Sequence, residues 1–385
     1  MVRELPTVKP MVLLIGNYLP DQQQSMLRFN EMMLHGLRTA GVEAELLRPP
    51  ALFGKVRALG ATAAKWFGYI DKFILFRVKL ARRLAAHPTV VHICDHSNAM
   101  YAPSSRRTSP TIVTCHDMLA VRGGLGEETD CPASFTGKFL QRWILRSLRS
   151  ANHIACASPA TAADVERLVA RKGATPSINV VYLGLNYPYT QLKRETALTR
   201  LGAIDGLQVD RPFVLHVGSN MRMKNREGVL RIFAKCAEPL NAQMVFVGER
   251  LNESLVAAAR ELGIERRIVQ VPNASNELLE ACYNCAYALL YPSRFEGFGW
   301  PITEAQSCGC PVVCSSAGPM ADVAGSGALL HPPEDEEGFA NDLLRLADPH
   351  ERAFWSAKGL ENAKRFSAER MISEYCELYR SLAAA

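Results

Sequence analysis

The chain has 385 residues, 48% of them hydrophobic, with 44 Lys and Arg against 38 Asp and Glu and a formal net charge of +6. That length supports two domains of ordinary size, each with its own core. No apolar run approaches membrane-spanning length and the N-terminus lacks the charged-then-apolar pattern of a secretory signal, so the expected location is cytoplasmic. Eleven cysteines, an odd number scattered through apolar runs, read as buried thiols of a reducing compartment. Cys282-x-x-Cys285 has no second Cys or His pair nearby and reads as packing, not zinc or redox chemistry.

The run Met11 to Ile15, followed by Gly16-Asn17, reads as a buried parallel strand ending at a turn. A helical pattern from about Gln22 to Thr39, then Gly41 and the strand Ala44 to Leu47, begins a doubly wound domain. Residues 53–87 carry eight basic residues against the single acid Asp71, interleaved with Phe53, Trp66, Phe67, Tyr69, Phe73 and Phe76. A basic helix with aromatic residues on its other face fits a segment lying on an anionic membrane surface. It equally fits an amphipathic helix packing those aromatics on its own sheet. The stretch Lys138 to Arg146, without an acid, could extend the same face. No nucleic-acid recognition motif accompanies this charge, so nucleic acid is not an expected partner.

Strand Val90 to Cys94 leads to Asp95-His96-Ser97-Asn98, and strand Thr111 to Cys115 leads to His116-Asp117. Polar residues at the carboxyl ends of parallel strands lie on the ligand-binding edge of an open α/β sheet. Asp95, His96, His116 and Asp117 are therefore candidates, although a His ending a strand is often structural. The stretch 191–210 is polar without a strand pattern and suits a linker. From Phe213 a fresh alternation begins, with strands over 213–217, 244–247, 268–271, 288–291, 312–314 and 328–330 separated by helical patterns. Between the first of these strands and a helix near Glu227 lies Gly218-Ser219-Asn220-Met221-Arg222-Met223-Lys224-Asn225. A lysine and an arginine at that edge, beside a helix N-terminus, are placed to meet a pyrophosphate.

The most informative stretch is Ser293-Arg294-Phe295-Glu296-Gly297-Phe298-Gly299-Trp300-Pro301-Ile302-Thr303-Glu304, running on to Gly309-Cys310-Pro311. It reads as strand, glycine-rich loop, short helix and strand, with Pro301 at the first helical position and Gly309 and Pro311 ending the helix. The glycines leave backbone N–H groups bare at a helix N-terminus, where the dipole also favours phosphate. Glu296 and Glu304 frame this loop. Carboxylates beside a phosphate are poor ligands for it, so sugar hydroxyls are their expected partners. The plainer alternative is an exposed loop Glu and a first-turn Glu complementing the dipole.

This segment resembles the Glu, seven residues, Glu signature of the retaining GT-B glycosyltransferases of family 4 (glycosyl transferases group 1). Pro292-Ser293, Glu296-Gly297-Phe298-Gly299, Pro301, Glu304-Ala305, Gly309 and Pro311-Val312 all fall in register with it. The resemblance implies an α/β protein of GT-B architecture: two Rossmann-like doubly wound domains facing a central cleft. They would be an acceptor-side domain over 1–190, a linker over 191–210 and a nucleotide-sugar donor domain over 211–364. A last helix over 365–385 would return to the first domain, and Val181 to Tyr187 looks like the strand end before the second. It implies a donor site of Gly218, Arg222, Lys224, Glu296, Gly297, Phe298, Gly299, Trp300 and Glu304. There Lys224 meets the diphosphate, Glu296 the sugar and Glu304 the ribose diol. His116 faces the transferred sugar from the first domain, with Asp95, His96 and Asp117 on the acceptor or sugar side. Two departures stand out. The loop after the first strand lacks the family's glycine pair, and Met223 occupies the place of the basic neighbour of Lys224, leaving Arg222 to take that role or Lys224 to act alone.

The chain has no Asp-x-Asp, G-x-G-x-x-G after the first strand, G-x-S-x-G or Walker lysine loop, which argues against metal-dependent GT-A transferases, dinucleotide oxidoreductases, serine hydrolases and P-loop enzymes. The expected function is hexosyl transfer from a nucleoside-diphosphate sugar to a saccharide or lipid-linked acceptor in polysaccharide or glycolipid synthesis. Configuration would be retained, with no cofactor or metal required. The protein would be cytoplasmic or peripheral at the inner face of the membrane. Alternatives are a sugar-nucleotide epimerase or phosphorylase on the same scaffold, and a non-catalytic membrane-associated scaffold.

Overall fold

A computed structural model describes residues 11–54, 61–170 and 175–384, with the side chains of 61–65 left out of the description. The chain divides into two compact units, 1–186 with 368–385, and 187–367. Among the described residues no helix is long and apolar enough to cross a membrane.

In the first unit six parallel strands, β1 (Met11–Ile15), β2 (Glu43–Leu47), β3 (Val90–Ile93), β4 (Thr111–Cys115), β5 (His153–Cys156) and β6 (Ser177–Val180), lie in the order β2-β1-β3-β4-β5-β6. The central strands β3, β4 and β5 are buried along their whole length, as expected of a parallel sheet covered on both faces. Edge strand β6 alternates between exposed and half-buried residues. It ends at Val180, so Val181 to Tyr187, expected as a strand end, is the loop beyond it. The C-terminal helix Ala368–Ala384 is part of this unit. His92 of β3 sits 2.6 Å from Tyr379 Oη and 2.7 Å from Thr114 Oγ1, and Thr114 Oγ1 lies 2.6 Å from Tyr375 Oη, a buried chain of polar groups fastening that helix to the sheet.

The basic aromatic stretch is not one helix. Helix Ala61–Ile70 passes through a π turn, Asp71–Leu75, into helix Phe76–Leu84. Lys55 and Arg57 lie outside the described residues. Phe76 is fully buried against Tyr101, and Phe73 packs on Trp143 of the helix Phe135–Leu148. Trp66, Ile74 and Val78, by contrast, are more than half exposed. The lone acid Asp71 is buried. It accepts from Tyr18 Oη at 2.5 Å and from the backbone N–H of Phe53 and Gly54 at 3.1 and 2.9 Å. Burial first, then this bond to the carboxylate, push the Tyr18 hydroxyl well above the ordinary phenol range. The loop after β1 is thereby held from below.

The second unit has six parallel strands, β7 (Phe213–Gly218), β8 (Gln243–Gly248), β9 (Ile268–Pro272), β10 (Ala288–Tyr291), β11 (Val312–Ser315) and β12 (Leu329–His331), in the order β12-β11-β10-β7-β8-β9. The expected linker 191–210 contains the helix Arg194–Leu201, with Ala197 and Leu201 buried and Arg200 Nη1 bonded to the Glu280 carboxylate at 2.8 Å. Sparse apolar positions hid this helix, because only two of its eight residues face the core. In this sheet the chain leaves β7 towards β8 and β9 on one side and later returns to place β10 on the other. Loops leaving the carboxyl ends of β7 and β10 therefore diverge, opening a crevice at the switch point.

Candidate functional site

Lys224 and Glu296, 72 residues apart in sequence, meet at this switch point. After β7 the chain makes a tight turn over Arg222–Lys224, and Asn225, in the left-handed region at φ 53°, begins the helix Arg226–Cys236. The Asn225 amide donates to Pro292 O at 3.0 Å, and Arg294 N–H donates to Met223 O at 2.8 Å, so the two loops are stapled together. Lys224 Nζ then donates to Glu296 Oε1 at 2.7 Å, to Oε2 at 2.8 Å and to Tyr291 Oη at 3.1 Å. The Tyr291 hydroxyl in turn donates to Glu296 Oε1 at 2.6 Å. Glu296 is only 8% exposed, which excludes the reading of a solvated loop residue. Gly299 has φ 102°, a conformation L side chains rarely adopt, and from there the helix Trp300–Ser307 starts.

Because that helix begins at Trp300, Glu304 lies in its second turn and not the first, as the spacing from Pro301 suggests. It is 4% exposed and accepts from Tyr283 Oη at 2.8 Å, so it does not serve as a surface charge on the helix dipole. The Phe298 ring is buried, edge-on to Phe366 at 5.6 Å and near Trp300. Arg222 shares the turn with Lys224 and is exposed. Gly218 closes β7, where a Cβ would come within 3.3 Å of His216 Nε2.

Three residues of this site escaped the sequence reading. Arg226 is 3% exposed and donates to Gly218 O, Asn220 Oδ1 and Glu249 O, each at 2.7 Å, which braces the loop after β7 from beneath. Tyr291 and Tyr283 hold the two carboxylates. A tyrosine ending a parallel strand was the available signal for Tyr291, since a buried O–H needs a partner.

In the first unit the corresponding edge, where β1 and β3 part, carries a buried polar cluster. Asn17 Nδ2 donates to Asp95 Oδ2 at 2.6 Å and to Gln23 Oε1 at 2.9 Å. Asp95 also accepts from Ser97 N–H and Oγ and faces His96 Nδ1 at 3.2 Å. Burial opposes ionisation of Asp95, but the His96 bond and charge and the Ser97 bond outweigh it and hold the carboxyl far below its usual range. Burial likewise opposes the charge on His96, and the Asp95 bond overcomes it and raises that imidazole. His116 is 5% exposed, with Nε2 3.0 Å from Cys94 O and the ring edge-on to Phe29. Desolvation lowers its pKa, so near neutrality Nε2–H donates to the carbonyl. Nδ1 then carries a lone pair with no partner among the described residues. Asp117 Oδ1 accepts from Leu119 N–H at 2.9 Å, just ahead of the next helix, a backbone role. The structure thus brings Asp95, His96 and His116 into one cluster, and Gly218, Lys224 and Glu296 into another.

Two family models match: "Glycosyltransferase Family 4" over residues 28–186 and "Glycosyl transferases group 1" over residues 202–360. The chain is 33% identical over 180 residues to the O-antigen chain mannosyltransferase B of Escherichia coli, a stretch covering 44% of this chain and 46% of that protein. It thus spans about half the length of the curated relatives it first matches. Among solved structures it is similar to sucrose-phosphate synthase from Thermosynechococcus elongatus, with TM-score 0.75, 21% identity and coverage of 97% and 99% of the two chains. Anabaena Alr3699/HepE, solved in complex with UDP and glucose, gives TM-score 0.73 at 16% identity, with coverage of 96% and 99%.

Proposed function

Since the chain belongs to the group 1 glycosyltransferases of the GT-B type, we propose that it moves a hexosyl unit from a nucleoside-diphosphate sugar to a saccharide or lipid-linked acceptor, with retention of configuration. The observation carrying this reading is the meeting of Lys224 with Glu296 at the switch point of the second sheet, beside the N-terminus of the helix Trp300–Ser307. Lysine and helix N-terminal amides suit a diphosphate. A carboxylate beside them suits sugar hydroxyls, and Glu304 suits a ribose diol. In the proposed reaction the bond from the anomeric carbon to the phosphate oxygen breaks while the acceptor oxygen bonds to the same face. The acceptor's proton passes to the departing phosphate. Lys224 and the loop amides stabilise charge growing on that phosphate, a role needing no metal. In the first unit we assign the His116 Nδ1 lone pair to a hydroxyl of the acceptor. The UDP in the HepE complex and the O-antigen relative support a nucleotide-sugar donor and a polysaccharide or glycolipid product. Proton NMR of the first product formed tests retention. An inverted anomeric centre refutes the front-face mechanism, and an epimerised or phosphorolysed sugar points to the alternative enzymes.

The same proposal places the protein peripherally on an anionic membrane at the cytoplasmic face. Exposed Phe135 and Phe139 alternate with exposed Lys138, Arg142 and Arg146 on one helix, which touches the segment presenting Trp66, Ile74, Arg77 and Lys79. Flotation with vesicles of phosphatidylcholine, with and without phosphatidylglycerol, tests it. Binding confined to the anionic vesicles is expected, and equal absence from both refutes membrane docking.

A further inference from the structure

Lys224 has three N–H donors, and all three are engaged, two by the oxygens of Glu296 and one by Tyr291 Oη. A diphosphate oxygen bound by Lys224 must therefore take at least one of them. Glu296 then loses part of its hold at the moment it has to align a sugar. The donor that stays is the Tyr291 hydroxyl, 2.6 Å from Glu296 Oε1. Tyr291 is fully buried as the last residue of β10, its ring stacked on His216 at 6.1 Å, so its hydroxyl is fixed by the sheet and not by the loops. Lys224 also lies 5.5 Å from the centre of the same ring, close enough for the aromatic face to attract the ammonium.

We propose that Tyr291 is a positioning residue that anchors the Glu296 carboxylate while Lys224 shifts from that carboxylate to the donor diphosphate. The proposal rests on the donor-site reading above. It predicts a division of labour: the phenol hydroxyl matters to sugar alignment and not to phosphate binding.

Calorimetry with UDP, GDP and ADP and with UDP-glucose, GDP-mannose and ADP-glucose, on the full chain and on Tyr291→Phe, separates the two. The expected result is unchanged affinity for the nucleoside diphosphate, within about twofold, with loss of the extra affinity that the attached sugar provides. Turnover of the same donor should fall about ten- to a hundredfold in kcat/KM, the worth of one bond to a charged group. In a Glu296→Ala background Tyr291→Phe should have no further effect. Equal loss of diphosphate and sugar-nucleotide affinity in the single variant, or an undiminished further loss in the Glu296→Ala background, overturns the positioning role. Such outcomes reduce Tyr291 to packing. Failure of the wild type to bind any of the six compounds overturns the donor reading and the inference together.

Discussion

At Glu304 a buried carboxylate accepts a 2.8 Å hydrogen bond from the Tyr283 phenol. Tyr283→Phe should weaken nucleoside diphosphate binding by about five- to tenfold, corresponding to roughly 1–1.5 kcal/mol, while leaving pyrophosphate binding unchanged. Equal loss for pyrophosphate, read by the same calorimetry, would show that Glu304 has nothing to do with the ribose. Lys224 and Glu296 were legible in the sequence because each sits in a loop whose flanking strand and helix declare themselves. Tyr283 and Tyr291 were not, since each lies in an apolar run and its partner is supplied by tertiary packing. Arg226 stands two residues after Lys224, and nothing in its spacing distinguishes a brace buried under the loop from a solvated helix arginine.

Among the elements, the segment 61–84 shows most clearly what a pattern leaves open. Aromatic residues at helical spacing read the same whether they face a sheet or a membrane. The π turn over Asp71–Leu75 adds residues to the turn and changes the phase, sending Phe73 and Phe76 inward and Ile74 and Val78 outward. The packing reading thus holds for Phe73 and Phe76, whereas Trp66 stays exposed. Asp71 fixes that turn by accepting from Tyr18 and from two loop amides. Asp71→Ala should destabilise the first unit by about 3 kcal/mol, because buried donors lose their acceptor, and Asp71→Asn by less. Urea unfolding followed by aromatic fluorescence measures this, and an unchanged midpoint for Asp71→Ala would contradict it. On the surface, Phe139→Ser, at a residue 72% exposed, should reduce flotation with anionic vesicles while leaving thermal stability within about 0.5 kcal/mol. Undiminished flotation would remove Phe139 from the docking surface.

Across the whole molecule all six strands of the second sheet were legible in the strand spacing, but in the first sheet β5 was not read and β6 ends before the expected strand end at 181–187. The order of the strands places the candidate sites at the two switch points. Each unit also buries a neutral histidine, His92 in the first and His216 in the second, both lowered from 6.5 to about 3, chiefly by desolvation. A lowered histidine binds its proton in the unfolded chain first. Its stabilising contribution is present above pH 6.5 and is lost as pH falls from there towards 3. Unfolding free energy should therefore decline on going from pH 7 to pH 5, with each group approaching about 1.4 kcal/mol per pH unit. A flat profile over that interval would contradict the burial of these rings as neutral species.

We propose that Lys224 and Glu296 form a donor site that works without a metal. Release of nucleoside diphosphate from UDP-, GDP- and ADP-sugars, with a saccharide or lipid-linked acceptor and EDTA present, tests it most directly. Release from one donor class, undiminished by chelator and reduced at least about a hundredfold in both Lys224→Ala and Glu296→Ala, is the predicted result. Release that disappears with EDTA, or that survives both substitutions, would contradict the account.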